Sequence, residues 1–158
     1  MKGKIFSINI SSQKGMPKDM VLSGALKEEH GLEGDAHAGL GKRQVSLLAM
    51  EDIEKAGSSS SDKEIDFRPG IFAENITTVA LDLSRLKIGD RLHVGDSAIL
   101  RITQLGKECH AGCSVMRKAG NCIMPNKGVF AAVEAAGEIK VNDLVKVSFG
   151  LRTSLHEL

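Results

Sequence analysis

Residues 86–102 read LKIGDRLHVGDSAILRI. Leu86, Ile88, Leu92 and Val94 form one alternating apolar run, Ala98, Leu100 and Ile102 form a second, and the turn pair Gly95-Asp96 stands between them. The pattern predicts a β-hairpin with one buried face. The first half of this stretch has a partner further along: LKIGDRLHV at 86–94 is matched by IKVNDLVKV at 139–147 in apolar pattern and in its Gly-Asp or Asn-Asp centre. Gly89 and Asn142 are the residue types that best tolerate positive φ, so both segments are expected to make the same tight bend between two short strands. Chance likeness between two common turn sequences is the alternative, and either reading places strands around both bends.

Working outward, seventeen glycines and three prolines punctuate many short apolar segments, a pattern of hairpins and barrels rather than of a helix bundle. Near the start, Phe6, Ile8 and Ile10 are expected on one face of a first strand, with Ser7, Asn9 and Ser11 on the other. A helix is predicted from Leu48 to Ala56, capped by Ser46, ended by Gly57 and carrying Glu51, Asp52 and Glu54 on its outer side. The following GSSSSDKE, residues 57–64, reads as a solvated loop. A second short helix is expected over Cys113–Lys118, ending at Gly120. The sum is a single, mostly β domain spanning residues 1–158.

At 158 residues, 42% hydrophobic and 26% charged, the chain has the balance of an ordinary globular protein. Five Phe with neither Trp nor Tyr leave few platforms for base stacking, and a net charge of +1 lacks the basic excess of a phosphate-tracking surface. Nucleic acid is therefore not an expected partner. No apolar run approaches the roughly 20 residues needed to cross a bilayer. The first residues carry no secretory signal pattern, so a cytoplasmic location is expected.

All three cysteines, Cys109, Cys113 and Cys122, fall in GKECHAGCSVMRKAGNCIMP. Between Arg101 and Lys127 the bases Arg101, Lys107, Arg117, Lys118 and Lys127 face one acid, Glu108. Neighbouring cations lower a thiol's pKa and favour the thiolate, the reactive and ligating form. At least one of these cysteines, with Cys109 foremost, is thus a candidate nucleophile, sulfur carrier or soft metal ligand, the alternative being three thiols that fill the core. The odd count and clustered placement rule out a disulfide scaffold. Structural zinc is disfavoured because adjacent Cys109 and His110 diverge and no Cys-x2-Cys knuckle is present. A Cys109–Cys113 redox pair fits better if a helix brings positions four apart onto one face.

A second cluster is GLEGDAHAGLGKRQVSLL, residues 31–48, in which four glycines separate Glu33, Asp35, His37, Lys42 and Arg43. Gly-rich backbone with Lys42 and Arg43 just before an expected helix start is suited to an anion, although the spacing is not that of a nucleotide-phosphate loop. A hairpin loop with solvated charges is the plainer reading. In RPGIFAENITTVALDLSRLKIGD, Glu74 and Asn75 stand inside an apolar run. Since buried polar groups must be hydrogen-bonded, Asn75 either ties two loops together or faces a ligand.

Together these segments resemble the MOSC family, named after the C-terminal domain of molybdenum cofactor sulfurase. The resemblance runs from GLEGDAHAG and KRQVSLL, through PGIFAENIT and LKIGDRLHVGDSAILRITQLGKECH, to GEIKVNDLVKV. It implies a closed or partly closed β-barrel with a few short helices, and binding of molybdenum cofactor or carriage of sulfur for cofactor maturation. It also brings a family association with pyridoxal phosphate. The family's cysteine after the central hairpin matches Cys109, which the resemblance makes sulfur carrier or molybdenum ligand, with Cys113 or Cys122 as resolving thiols. His37, Lys42, Arg43, Asn75, Lys107 and Arg117 are then the expected cofactor-binding residues. The cofactor is an anionic pterin bearing a phosphate, so cationic and backbone donors suit it. A cysteine desulfurase or a molybdoenzyme is an expected partner. Many members have Pro before the cysteine where Glu108 stands here, and the extra thiols with MPNKGVFAAV resemble a bacterial subgroup. A non-catalytic cofactor-presenting module and a thiol redox sensor are the other readings, and the sequence leaves open whether the chain turns over a substrate.

Overall fold

Strands β7 (Arg91–Val94) and β8 (Ala98–Leu105) form the expected hairpin, pairing Arg91 with Arg101 and Val94 with Ala98 across a loop of Gly95, Asp96 and Ser97. Leu92, Val94, Ala98, Leu100 and Ile102 are all buried. The computed structural model describes residues 1–108 and 122–150. The predicted helix over Cys113–Lys118 lies outside the described residues.

The hairpin belongs to a closed barrel of seven strands. The other members are β1 (Lys2–Ile10), β5 (Val45–Ala49), β6 (Ile76–Val79), β9 (Val129–Ala135) and β11 (Leu144–Ser148). The order runs β11, β7, β8, β9, β5, β6, β1, and β1 pairs back onto β11 at Lys2↔Lys146 to close the ring. Closure removes the open sheet edges that would otherwise invite pairing with another chain. Only β5 and β6 run parallel within the barrel, joined by α1 (Met50–Ser59) and the loop after it. The edge strand β2 (Asp19–Val21) extends β1. A small second sheet orders β10 (Gly137–Lys140), β3 (Ser23–Lys27) and β4 (Gly31–Leu32).

The barrel interior holds Ile5, Ile8, Val45, Leu47, Ile76, Leu92, Leu100, Val133 and Val145 among others. A second cluster of Leu48, Met50, Ile53, Phe72, Met124 and Phe130 packs outside, under α1 and the four-residue α2 (Met124–Lys127). Strand β5 serves both cores, so VSLLA is buried at every position, with Ser46 its one polar residue.

The twin bends are real. Gly89 has φ +97 and Asn142 φ +77, and Asp90 and Asp143 each donate a backbone N–H to a lysine carbonyl three residues back. Each aspartate side chain also accepts that lysine's own N–H, at 2.9 Å for Lys87 and 2.8 Å for Lys140. The bend at Asn142 joins two strands as expected. The one at Gly89 instead follows a 3-10 turn, Leu83–Arg85, which leaves Ile88 at 67% exposure.

Three expectations are corrected. In β1 the register slips between Ile5 and Ser7, so Ile5 and Ile8 face the core while Phe6 is 45% exposed and Ser7 and Asn9 are buried. A β-bulge breaks strict alternation in this way. Ser46 does not cap a helix but lies in β5, and α1 begins at Met50 after Ala49 with no side-chain cap. Gly57 continues α1 instead of ending it. A Cβ there would lie 3.1 Å from Phe67 Cβ, so the glycine accommodates that side chain.

Candidate functional site

At the barrel end where β1 finishes, a lysine is fully enclosed. Lys18 has 0% exposure, and its ammonium donates to Asp35 Oδ1 at 2.7 Å and to Ser11 Oγ at 3.2 Å, with His37 Nδ1 at 3.1 Å. A buried charge is costly unless paired and hydrogen-bonded, and here all three ammonium protons have partners. The Asp35 carboxylate is itself held by the backbone N–H of Ser11 at 3.1 Å and of His37 at 3.0 Å. Burial pushes the Asp35 carboxyl up, but the Lys18 ammonium, the nearby Asn75 amide and the Ser11 N–H outweigh it and bring the pKa below the ordinary value. His37 is one-third exposed, and its pKa falls to about 4 through burial first, then repulsion from Lys18, Lys107 and Lys14 against the opposing pull of Asp35.

The backbone that carries Lys18 is clamped from behind. Its N–H donates to Gly70 O at 2.8 Å and its carbonyl accepts from the Arg68 guanidinium at 2.7 Å. Gly70 and Phe72 in turn donate their N–H groups to Glu74, which also accepts from Thr77 Oγ1 at 2.8 Å. Burial raises the Glu74 pKa, with these donors opposing it. Asn75 is fully buried: its Oδ1 accepts from Ser46 N at 3.0 Å and its Nδ2 donates to Asn9 O at 3.3 Å. Of its two sequence-allowed roles, the structure displays the tie between segments.

The glycine-rich segment forms the rim. Gly34, Gly39 and Gly41 all have positive φ with nothing within 4 Å of where a Cβ would stand. Gln44 anchors the segment, accepting from Val133 N at 2.9 Å and donating to Gly41 O at 3.1 Å. Lys42 and Arg43 are exposed and lead into β5; the five residues of that strand separate them from α1, so the expected helix start does not follow this turn directly. Lys42 offers its carbonyl to Thr103 Oγ1, and Arg43 donates to Gln104 Oε1 at 3.2 Å while lying 5.6 Å from the Phe130 ring centre. Both contacts pin the rim to the end of β8, which Gly106 and Lys107 follow in sequence.

The structure thus gathers His37 and Lys107, and places Arg43 and Lys42 at the β8 end. Cys109, Cys113 and Arg117 lie outside the described residues. The sequence reading missed Lys18, Ser11, Lys14 and Gln104. A separate cleft of about 800 Å³ beyond Leu105 and Gly106 is lined by Glu51, Asp52 and Asp82 against Lys55 and Lys127, a poorer setting for an anion. Among the described residues no cluster of three or more His, Cys, Asp or Glu could hold a metal ion.

A closed seven-strand barrel with a polar, cation-rimmed mouth at the end of its central hairpin defines the class. The MOSC domain family matches residues 33–146, more than half of the chain, and the chain belongs to that family. Among solved structures it is similar to the YuaD protein from Bacillus subtilis, with TM-score 0.75 and 18% identity over 93% of this chain and 96% of that one. YiiM from Geobacillus stearothermophilus gives TM-score 0.71 and 19% identity over 92% and 75%. YiiM from Escherichia coli gives 0.69 and 20% over 94% and 70%. At these identities the likeness is one of fold. No curated protein matches the sequence. No helix among the described residues is long and apolar enough to cross a membrane.

Proposed function

We propose that this chain binds molybdenum cofactor, or a related anionic pterin, at the rim formed by His37, Arg43 and Lys107, and that Cys109 handles sulfur there. The observation that carries this reading is the buried Lys18–Asp35 pair presenting a partly exposed His37 within the field of Lys14 and Lys107, the latter two positions before Cys109. An anionic group fits these residues. Lys107, Lys14 and Arg43 supply positive charge, and the open glycines at 34, 39 and 41 let a guest approach the backbone where any other residue would place a side chain. Lys42, exposed and next to Arg43 in sequence, is proposed to add a further cation. Asn75 acts from behind, by joining β1 to β5, and Arg117 and Cys113 are proposed to complete the site from the thiol segment. The cofactor, when bound, supplies a thiophilic, redox-active metal and a phosphate handle, for which a thiolate at Cys109 is a suitable soft ligand.

As a sulfur carrier, the Cys109 thiolate attacks the outer sulfur of a donor persulfide. One S–S bond breaks and one forms, the donor leaves as a thiolate, and no external oxidant is required. A cysteine desulfurase is the proposed donor class. Incubation of the purified protein with such an enzyme and cysteine, followed by trapping and peptide mapping by mass spectrometry, tests this step. One added sulfur atom on the Cys109 peptide is expected; a Cys109→Ala chain that accepts sulfur equally well overturns it.

A further inference from the structure

Histidines beside carboxylates commonly donate Nδ1–H to the acid, which leaves Nε2 with its lone pair free for a metal or for a substrate proton. His37 departs from that arrangement. Its Nδ1 stands 3.9 Å from Asp35 Oδ2, beyond hydrogen-bond reach, and the Lys18 ammonium occupies the space between them at 3.1 Å from Nδ1 and 2.7 Å from Asp35 Oδ1. An ammonium carries three protons and no lone pair, so Nδ1 must accept. The proton of the neutral ring is then on Nε2, on a side chain that is one-third exposed.

We infer that Lys18 is a positioning residue that fixes His37 as a neutral hydrogen-bond donor through Nε2, selecting an anionic or carbonyl oxygen on the guest and barring His37 from metal ligation. The guest side of this inference rests on the anion-binding reading above. The geometry at Lys18 stands apart from it. Lys18 and Asp35 have no exposed side-chain surface, and the Asp35 carboxylate is fixed by two backbone N–H groups, so the ammonium cannot swing away to release Nδ1. The charged groups facing His37 are Lys18, Asp35, Lys107 and Lys14, three cations against one anion, which reinforces the burial that already keeps the ring neutral. The positive charge of the rim therefore comes from lysine and arginine, and the histidine contributes direction. Its hydrogen bond persists through the range in which an ordinary histidine changes charge.

The test is long-range proton–nitrogen NMR of the histidine rings in the intact chain, with His37 assigned by comparison with His37→Gln. From about pH 5 to about pH 8 the His37 ring is expected to show a protonated Nε2 and an unprotonated Nδ1, the range over which an ordinary histidine titrates. Its midpoint should lie near 4. An Nδ1–H ring, or a midpoint at the ordinary 6.5, overturns the inference. In Lys18→Met, Asp35 faces Nδ1 directly, and the midpoint should rise by about one pH unit or more as the proton moves to Nδ1. An unchanged spectrum there counts equally against it. If Lys18→Met fails to fold, the wild-type spectrum decides alone. Titration with sulfate, a dianion throughout this range, separates the two readings: absence of binding with the Nε2–H ring intact overturns the anion site and leaves the role of Lys18 standing.

Discussion

A Cβ on Gly70 would stand 2.3 Å from the carbonyl oxygen of Lys18. Gly70 has φ +88, and so does Gly34, which has open space around it. The pair separates conformational strain from steric conflict. Gly34→Ala should lower stability by about 1 kcal/mol, the strain alone. Gly70→Ala should cost about 2–4 kcal/mol, because backbone must shift as well. Urea denaturation of the two variants measures the difference, and His37 resonances should move only in Gly70→Ala, through displacement of Lys18.

Asn75 joins strands distant in sequence. Its backbone N–H donates to Ser46 O, its carbonyl accepts from Asn9 N at 2.7 Å, and its side chain spans the same two residues. Asn75→Ala leaves the buried N–H of Ser46 and carbonyl of Asn9 each short of a partner, and a loss of about 2–4 kcal/mol is expected. The same variant should weaken anion affinity only modestly, because Asn75 itself is enclosed. Chemical denaturation and sulfate titration check the two halves.

Acid acts on two buried carboxyls with opposite sign. The folded-state pKa of Asp35 lies below its ordinary 3.8, so its contribution is present above that pH and is lost as pH falls through the folded value. The folded pKa of Glu74 is raised above 4.5, so its contribution is complete below 4.5 and is lost as pH rises through the folded value. Asp35→Asn strands the Lys18 charge and should cost about 3–5 kcal/mol at neutral pH. The gap to wild type should narrow as pH falls from 3.8 through the lower folded value, where the wild-type carboxylate is itself lost. Unfolding free energies across the acid range measure this convergence.

The paired bends allow an internal comparison. Asn142 holds φ +77 as a non-glycine residue, so Asn142→Gly should be neutral or slightly stabilising and Asn142→Ala should cost about 1 kcal/mol. Asp90 accepts from Gly150 N at 2.8 Å in addition to Lys87 N, whereas Asp143 is exposed where it holds Lys140 N. Asp90→Ala should therefore lower the thermal midpoint more than Asp143→Ala. Calorimetry on the two single variants ranks them.

These bends were legible in the sequence because turn chemistry is local: a positive-φ residue followed by aspartate specifies the bend with nothing else in view. The central hairpin was legible for the same reason. The face of β1 was not, because the bulge at Phe6 depends on how β6 pairs across from it. Lys18 was not legible either. In KGMPKD it looks like one more solvated charge, and its partners Asp35 and His37 lie seventeen and nineteen residues away. Asn75 and Glu74 could be flagged, since polar residues inside an apolar run must find partners, but only the fold names those partners. The glycines and paired cations of residues 31–43, on which the proposed anion site rests, were visible in composition, while the helix terminus expected behind them was displaced by strand β5.

The most direct test of the account is the cofactor content of protein purified from cells that make molybdenum cofactor, measured as bound molybdenum and pterin per chain. Wild type should retain both near stoichiometry. A folded His37→Ala/Arg43→Ala double variant should retain at least about tenfold less, the effect of losing two direct contacts to a charged guest. Equal retention by the two proteins, or no molybdenum and pterin in folded wild type, would contradict it.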